Sequence, residues 1–293
     1  MYFLLFCILS STGIFIIFKS IDRFGIPSFP VIVINYLVAA LLGFLIHPDR
    51  ALLMKIHETE WLPASMIIGI LFIAMFFLVA YSSRTAGISV TTVASKMSVI
   101  FPIVFSLLID KTDRFTFMKG LAILLTLAGV TMTVFKPRAA KLNPAVTYIP
   151  LLLFVGMGVV DSLVKFAQHR FVDDNETALF SAVLFMNAFF TGILVLFFSP
   201  GHLPFFKRLA VWGWGFLLGT VNFGSIFFLV RALNYKSAAG TGIDSSVIFG
   251  VNNTGIVALS VLAGLWIFRE RLEPINWTGI SLSAIALILF AMG

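Results

Sequence analysis

The chain has 293 residues, 60% of them hydrophobic and only 11% charged, against about 25% charged in an ordinary soluble domain. Its 20 Lys and Arg outnumber 13 Asp and Glu for a net charge of +7, but the basic residues are scattered through short connections and form no stripe, which argues against a nucleic-acid partner. The single Cys7 excludes an intramolecular disulfide, and His47, His57, His169 and His202 show no ligand spacing, so neither a metal site nor a cofactor is expected.

Crossing about 30 Å of hydrocarbon takes about 20 helical residues. Ten apolar runs approach that length: 2–18, 28–46, 63–82, 87–109, 115–135, 147–167, 177–198, 210–231, 242–267 and 275–292. The first begins at Tyr2 without a basic flank and stops at Lys19 without a small-residue cleavage pattern, so a retained helix is expected, not a targeting peptide. The connections are too short for a soluble domain, which places any function within or at the bilayer. Trp61, Trp212, Trp214, Trp266 and Trp277 fall near the ends of runs, where an aromatic belt would put them. The expected fold class is an all-α polytopic membrane protein with ten transmembrane helices.

The halves of the chain echo each other. FKSIDRFG after helix 1 matches KFAQHRFV after helix 6, FFLV recurs at Phe76–Val79 and Phe227–Val230, and helices 2 and 7 each carry a mid-span asparagine, Asn35 and Asn187. These landmarks keep their order, which predicts two five-helix repeats, residues 1–138 and 139–293, joined through KPRAAKLNP. Because five is odd, the second repeat enters the membrane inverted, and a pseudo-two-fold axis lies in the membrane plane. Lys and Arg divide almost evenly between the two sides, so charge alone does not choose an orientation.

Lys96 stands in the run TTVASKMSVIFPIVFSLLID, about 16 Å along a helix starting near Thr85 and close to the bilayer centre. A central lysine costs about 2.5–3.5 kcal/mol on insertion scales. Either it faces a watery cavity or an anion, or it is held structurally by a carboxylate or by helix-end carbonyls. Ser89, Thr92 and Lys96 share one helical face, and Pro102 further along lacks an N–H and is expected to kink the helix. Asp161 lies deep in helix 6 on a face with Lys165 and Gln168; it either pairs locally with Lys165 or serves the cavity opposite Lys96. Helix 9 opens with TGIDSSVIFGVNNTG, which puts Asp244 and Asn252 within about 80° of each other. Asn222 in helix 8 is a further candidate, whereas Asn35 and Asn187 read as interhelical hydrogen-bonding residues. Neither a Walker A loop nor an HExxH motif is present, so nucleotide-driven pumping and zinc proteolysis lack their machinery.

Ten short-looped helices, the inverted repeat and the ending FRERLEPINWTGISLSAIALILF together resemble the drug/metabolite transporter superfamily, EamA type. Glu270, Arg271, Leu272 and Gly279 fit that family's Glu-Arg-Leu-like turn and the glycine that follows in the next helix. The first repeat departs from the pattern, with Lys111 where the glutamate belongs, and Pro102 fits the family's first-half proline only approximately. The resemblance implies cytoplasmic termini and a central cavity lined by helices 1, 3, 4, 6, 8 and 9, with helices 5 and 10 peripheral. Lys96, Asp161, Asn222, Asp244 and Asn252 all fall on lining helices.

The expected function is secondary transport in the cell (inner) membrane: export of a small polar or amphipathic metabolite by alternating access. Uptake of an organic anion is the alternative. A lipid-modifying enzyme would need catalytic groups clustered near an interface, and a purely structural protein would have no use for costly intramembrane charges. Lys96, Asp161, Thr92, Asn222, Asp244 and Asn252 are the candidate substrate-binding residues. Glu270, Pro102 and Lys165 are candidates for gating or structure, and protons are the expected coupling ion, through Asp161. Substrate and lipid bilayer are the expected partners.

Overall fold

The computed structural model describes residues 2–46, 56–101, 104, 116–134, 143–172, 176–233 and 245–292. Among them every regular element is helical. The α-helices are α1 (Tyr2–Arg23), α2 (Ser28–Ile46), α3 (Leu62–Thr85), α4 (Ile88–Met97), α5 (Phe117–Val134), α6 (Ala145–Phe171), α7 (Thr177–Phe198), α8 (Leu209–Leu233), α9 (Ser245–Trp266) and α10 (Pro274–Met292). Short 3-10 segments span Ile56–Glu58 and Pro200–Lys207.

Helices α1, α2, α3, α6, α7 and α8 are each long and apolar enough to cross a bilayer, and α5, α9 and α10 contribute the shorter apolar stretches Gly120–Thr133, Val251–Trp266 and Pro274–Leu289. Large apolar side chains face outward along them, such as Met66, Ile67 and Ile70 on α3 and Phe190, Leu194 and Phe197 on α7. In water such surfaces would aggregate; in lipid they are solvated, while the helices satisfy their own backbone groups. The protein is helical and embedded in a membrane.

Local signals set the helix ends. At Gly25 (φ 66) α1 stops in a Schellman turn, with Ile26 N–H donating to Ile21 O (2.8 Å) and Gly25 N–H to Asp22 O (3.0 Å). The run expected as one helix over 87–109 is interrupted, because α4 ends at Met97 and turns through Ser98 and Val99 before Ile100. Phe101 N–H reaches back only to Ser98 O (3.0 Å). The sequence explains the break: the next residue is a proline, with no N–H to offer the Ser98 carbonyl. Pro102 itself lies outside the described residues. Ten residues of helix make α4 about 15 Å long, half of the hydrocarbon thickness.

The chain packs as two compact units. The first comprises Met1–Lys19, Val79–Gly158 and Gly224–Gly293, the second Ser20–Leu78 and Val159–Phe223. In the first, α5 packs along α10, and α9 packs on both α10 and α4. Val90, Val93 and Met97 of α4 meet Val130, Val257 and Ile280 in its core. Helix pairs in lipid gain little from hydrophobic burial and depend on close van der Waals approach. Gly279 supplies it, since a Cβ there would strike Thr133 and fall 2.7 Å from Gly129 O.

In the second unit α2 packs on α7, beside a core in which Trp61, Ile68, Leu179, Phe180 and Leu184 meet Val160 of α6. Trp61 lies just before α3, at a helix end as the sequence predicts, but it is fully buried and is not a belt residue. Its indole N–H donates to Glu176 Oε2 at 2.7 Å and its ring meets Phe180 edge-on. A carboxylate that takes the indole proton makes this burial affordable. Trp212, Trp266 and Trp277 are exposed.

Candidate functional site

Lys96 lies in the last turn of α4, where free carbonyls present the negative end of the helix dipole and favour a cation. Its charge is felt at the Cys7 thiol of α1, which donates to Ser225 O on α8 (3.1 Å). On the neighbouring α9, a Cβ at Gly255 would meet Ile8 at 2.7 Å, and Asn252 lies one turn before Gly255. Thr92 is one turn from Lys96 on its own face.

The first unit is rich in unused hydrogen-bonding capacity. The hydroxyls of Thr12 and Thr92 and the Oδ1 of Asn252 have no partner among the described residues, and all three side chains are buried. Most buried polar groups in proteins are satisfied, and an unpaired one costs about 1–3 kcal/mol. The contrast with other helical threonines is direct: Thr126 and Thr133 each bond to the carbonyl four residues back, at 2.8 and 2.7 Å. The first unit therefore holds Lys96 together with two hydroxyls and an amide oxygen that are buried without a partner among the described residues.

At one end of the same unit, Glu270 follows α9 in the turn to α10. The chain reverses through Arg269 in the left-handed region (φ 54), which brings Glu270 N–H back to Gly264 O (2.8 Å). The carboxylate then accepts from Ile88 N–H (2.7 Å), Ser89 N–H (3.2 Å) and Ser89 Oγ (2.9 Å). Lys19 Nζ stands 4.0 Å from Glu270 Oε1. Although Arg269 and Arg271 flank it in sequence, the carboxylate takes these ligands from α1 and α4.

The second unit handles its polar groups differently. The amides of Asn222 and Asn35 meet at 3.1 Å, Asn187 Nδ2 donates to Ser65 Oγ (2.9 Å), and Tyr36 donates its hydroxyl proton to Phe72 O (2.8 Å). Asn35 and Asn187 thus bond between helices.

Of the predicted binding residues, Lys96, Thr92 and Asn252 fall in the first unit, and Asp161 and Asn222 in the second. Asp161 lies on α6 and is half-buried. Asp244 lies outside the described residues, as does the side chain of Lys165. Thr12, Lys19 and Asn276 are missed by sequence reasoning. Lys19 reads there only as one more loop charge. Asn276 donates to Met132 O (3.2 Å) and Thr133 O (2.9 Å), satisfying carbonyls at the end of α5.

No protein-family model matches the chain. It is 28% identical over 300 residues to a protein of Haemophilus influenzae described as uncharacterized, covering 97% of this chain and 96% of that one. A protein of known crystal structure matches 98% of this chain and 99% of its own with a TM-score of 0.53 and 14% identity. At that identity the likeness is one of fold, and it runs the full length of both chains.

Proposed function

We propose that the protein is a secondary transporter of the drug/metabolite type, EamA-like, which exports a small polar or amphipathic metabolite by alternating access. One observation carries the reading: Lys96, Thr92, Thr12 and Asn252 bring a charge and unused hydrogen-bonding groups to one membrane-embedded unit. Intramembrane charge is costly unless it is used, and unpaired polar groups in the same unit suit a ligand that comes and goes.

In this reading all ten helices cross the membrane as two inverted repeats, 1–138 and 139–293, with both termini at the cytoplasmic face of the cell membrane. Packing supports the repeat. The helices it equates lie against each other, α2 on α7, α4 on α9 and α5 on α10, as expected when a two-fold axis passes between counterparts. Glycines at matching places also serve matching contacts: a Cβ at Gly69 of α3 would fall 2.6 Å from Asn187 Cβ on α7, and one at Gly219 of α8 would fall 2.7 Å from Asn35 O on α2.

Organic-anion uptake is the second reading, favoured by the cation and hydroxyl donors at the site. A screen of candidate metabolites with sealed vesicles tests both, and an absence of saturable flux in either direction for every class would refute transport. Protons are the proposed coupling ion, with Asp161 as their carrier. Asp161→Asn is expected to abolish any response of flux to an imposed pH gradient, and an unchanged response excludes that residue.

A further inference from the structure

At the reversal between α3 and α4, two helix ends of opposite polarity lie side by side. The last carbonyls of α3 carry partial negative charge, and the first amides of α4 partial positive charge. Lys19 of α1 serves the first, with Nζ donating to Ser83 O (2.9 Å) and Arg84 O (3.4 Å). Glu270 serves the second through Ile88 and Ser89, and the two ions meet at 4.0 Å. Each ion therefore sits on the helix end of opposite sign.

The surroundings are shaped for this contact. Gly87 begins α4 with φ 96 and no side-chain cap of its own, so capping falls to a residue far along the chain. A Cβ at Gly87 would lie 2.6 Å from Glu270 Oε1, and one at Gly264 would lie 2.7 Å from Oε2. Two absent side chains make the socket. The left-handed Arg269 that aims the carboxylate costs about 1–2 kcal/mol for a residue with a Cβ, a strain that persists only where the surroundings enforce it. The Glu270 side chain is 10% exposed and that of Lys19 21%, so water screens the pair weakly.

We propose that Lys19 and Glu270 form a polarity-matched clasp that positions α4, and with it Lys96, and that the clasp releases when this end of the first unit opens. They are positioning residues and do not touch substrate. That release serves as a gate rests on the transport reading, while the clasp itself does not. Its signature is polarity. An ordinary ion pair tolerates exchange of its two charges, whereas this one does not, because Lys19→Glu combined with Glu270→Lys sets an anion on the carbonyl end of α3 and a cation on the amide end of α4.

The test uses a reporter at the clasp. Ser83 is fully buried, and its hydroxyl has no partner among the described residues. In a Cys7→Ser background, Ser83→Cys is labelled in sealed vesicles by a membrane-impermeant maleimide applied to each face in turn. With the clasp intact labelling is slow; Glu270→Gln is expected to raise the rate about tenfold from one face only. Lys19→Arg should leave it slow, and the double charge exchange should leave it fast. An unchanged rate in Glu270→Gln overturns the clasp, as does a slow rate restored by the charge exchange. A second reporter, Thr126→Cys at a fully buried position of α5, should stay slow throughout, and its acceleration by Glu270→Gln would mean that the pair holds up the unit's fold and is no local clasp. Labelling needs no substrate, so a failed flux screen and a failed clasp are separate results.

Discussion

The two units bury polar side chains by different rules. In the second, asparagine meets asparagine or serine, the Trp61 indole meets a carboxylate and the Tyr36 hydroxyl meets a carbonyl. In the first, hydroxyls and an amide oxygen are left without partners, and apart from His202 every such buried atom among the described residues falls there. Satisfied polar contacts fix helices against one another, whereas unsatisfied ones keep hydrogen-bonding capacity in reserve. On the proposed reading, the second unit acts as scaffold and the first holds the site.

The largest effect that would break this contrast concerns Lys96. Lys96→Met keeps the apolar stem and removes the charge, so flux into sealed vesicles should fall about 10- to 100-fold, the range of a charged hydrogen bond worth about 1.5–3 kcal/mol. Thermal stability should hold or rise. Full flux in this variant would remove the site from the first unit, and a stability loss reversed by adding Asp161→Asn would make Lys96 a structural partner of that carboxylate.

Scaffold behaviour is tested next by Gly69→Ala and Gly219→Ala. Each drives a methyl into a helix contact and should lower stability by about 1–3 kcal/mol, by similar amounts if the repeats are equivalent. Chemical denaturation in detergent measures both, and a loss at only one position would weaken the symmetry argument. Asn222→Leu should cost about 0.6–2 kcal/mol, because it strands the Asn35 amide, while vesicle flux per folded molecule stays near normal. Lost flux with intact stability would instead return Asn222 to the substrate. The smallest effect is expected of Thr92→Val, which breaks no hydrogen bond among the described residues. Stability should change by less than about 0.5 kcal/mol, whereas apparent affinity for the transported compound weakens about threefold to tenfold.

Hydropathy made the helices legible because lipid demands long apolar runs and leaves few other signals in the chain. The interruption of α4 is legible only in Pro102, since the residues around it are as apolar as those of an unbroken span. Thr92 and Lys96 stand out by residue type in an apolar context. What could not be read is which hydroxyls are unused: Thr126 and Thr92 are alike in sequence, and a side-chain rotation decides whether the proton goes to the helix's own carbonyl. The partner of Glu270 was hidden for another reason. Arg269 and Arg271 are its neighbours in sequence, but backbone amides 182 and 181 positions away bind it, and the one available clue was an α4 that starts at glycine without a capping side chain.

The buried Trp61 has an optical consequence. Trp212, Trp266 and Trp277 are 45%, 76% and 44% exposed, but Trp61 is sealed against Phe180 and Glu176. Quenchers carried on lipid chains or dissolved in water will dim these three outer indoles by collision, reach the half-buried Trp214 of the second unit less, and spare Trp61. The residual emission then comes largely from the second unit, giving a native spectroscopic reading of whether that unit stays closed.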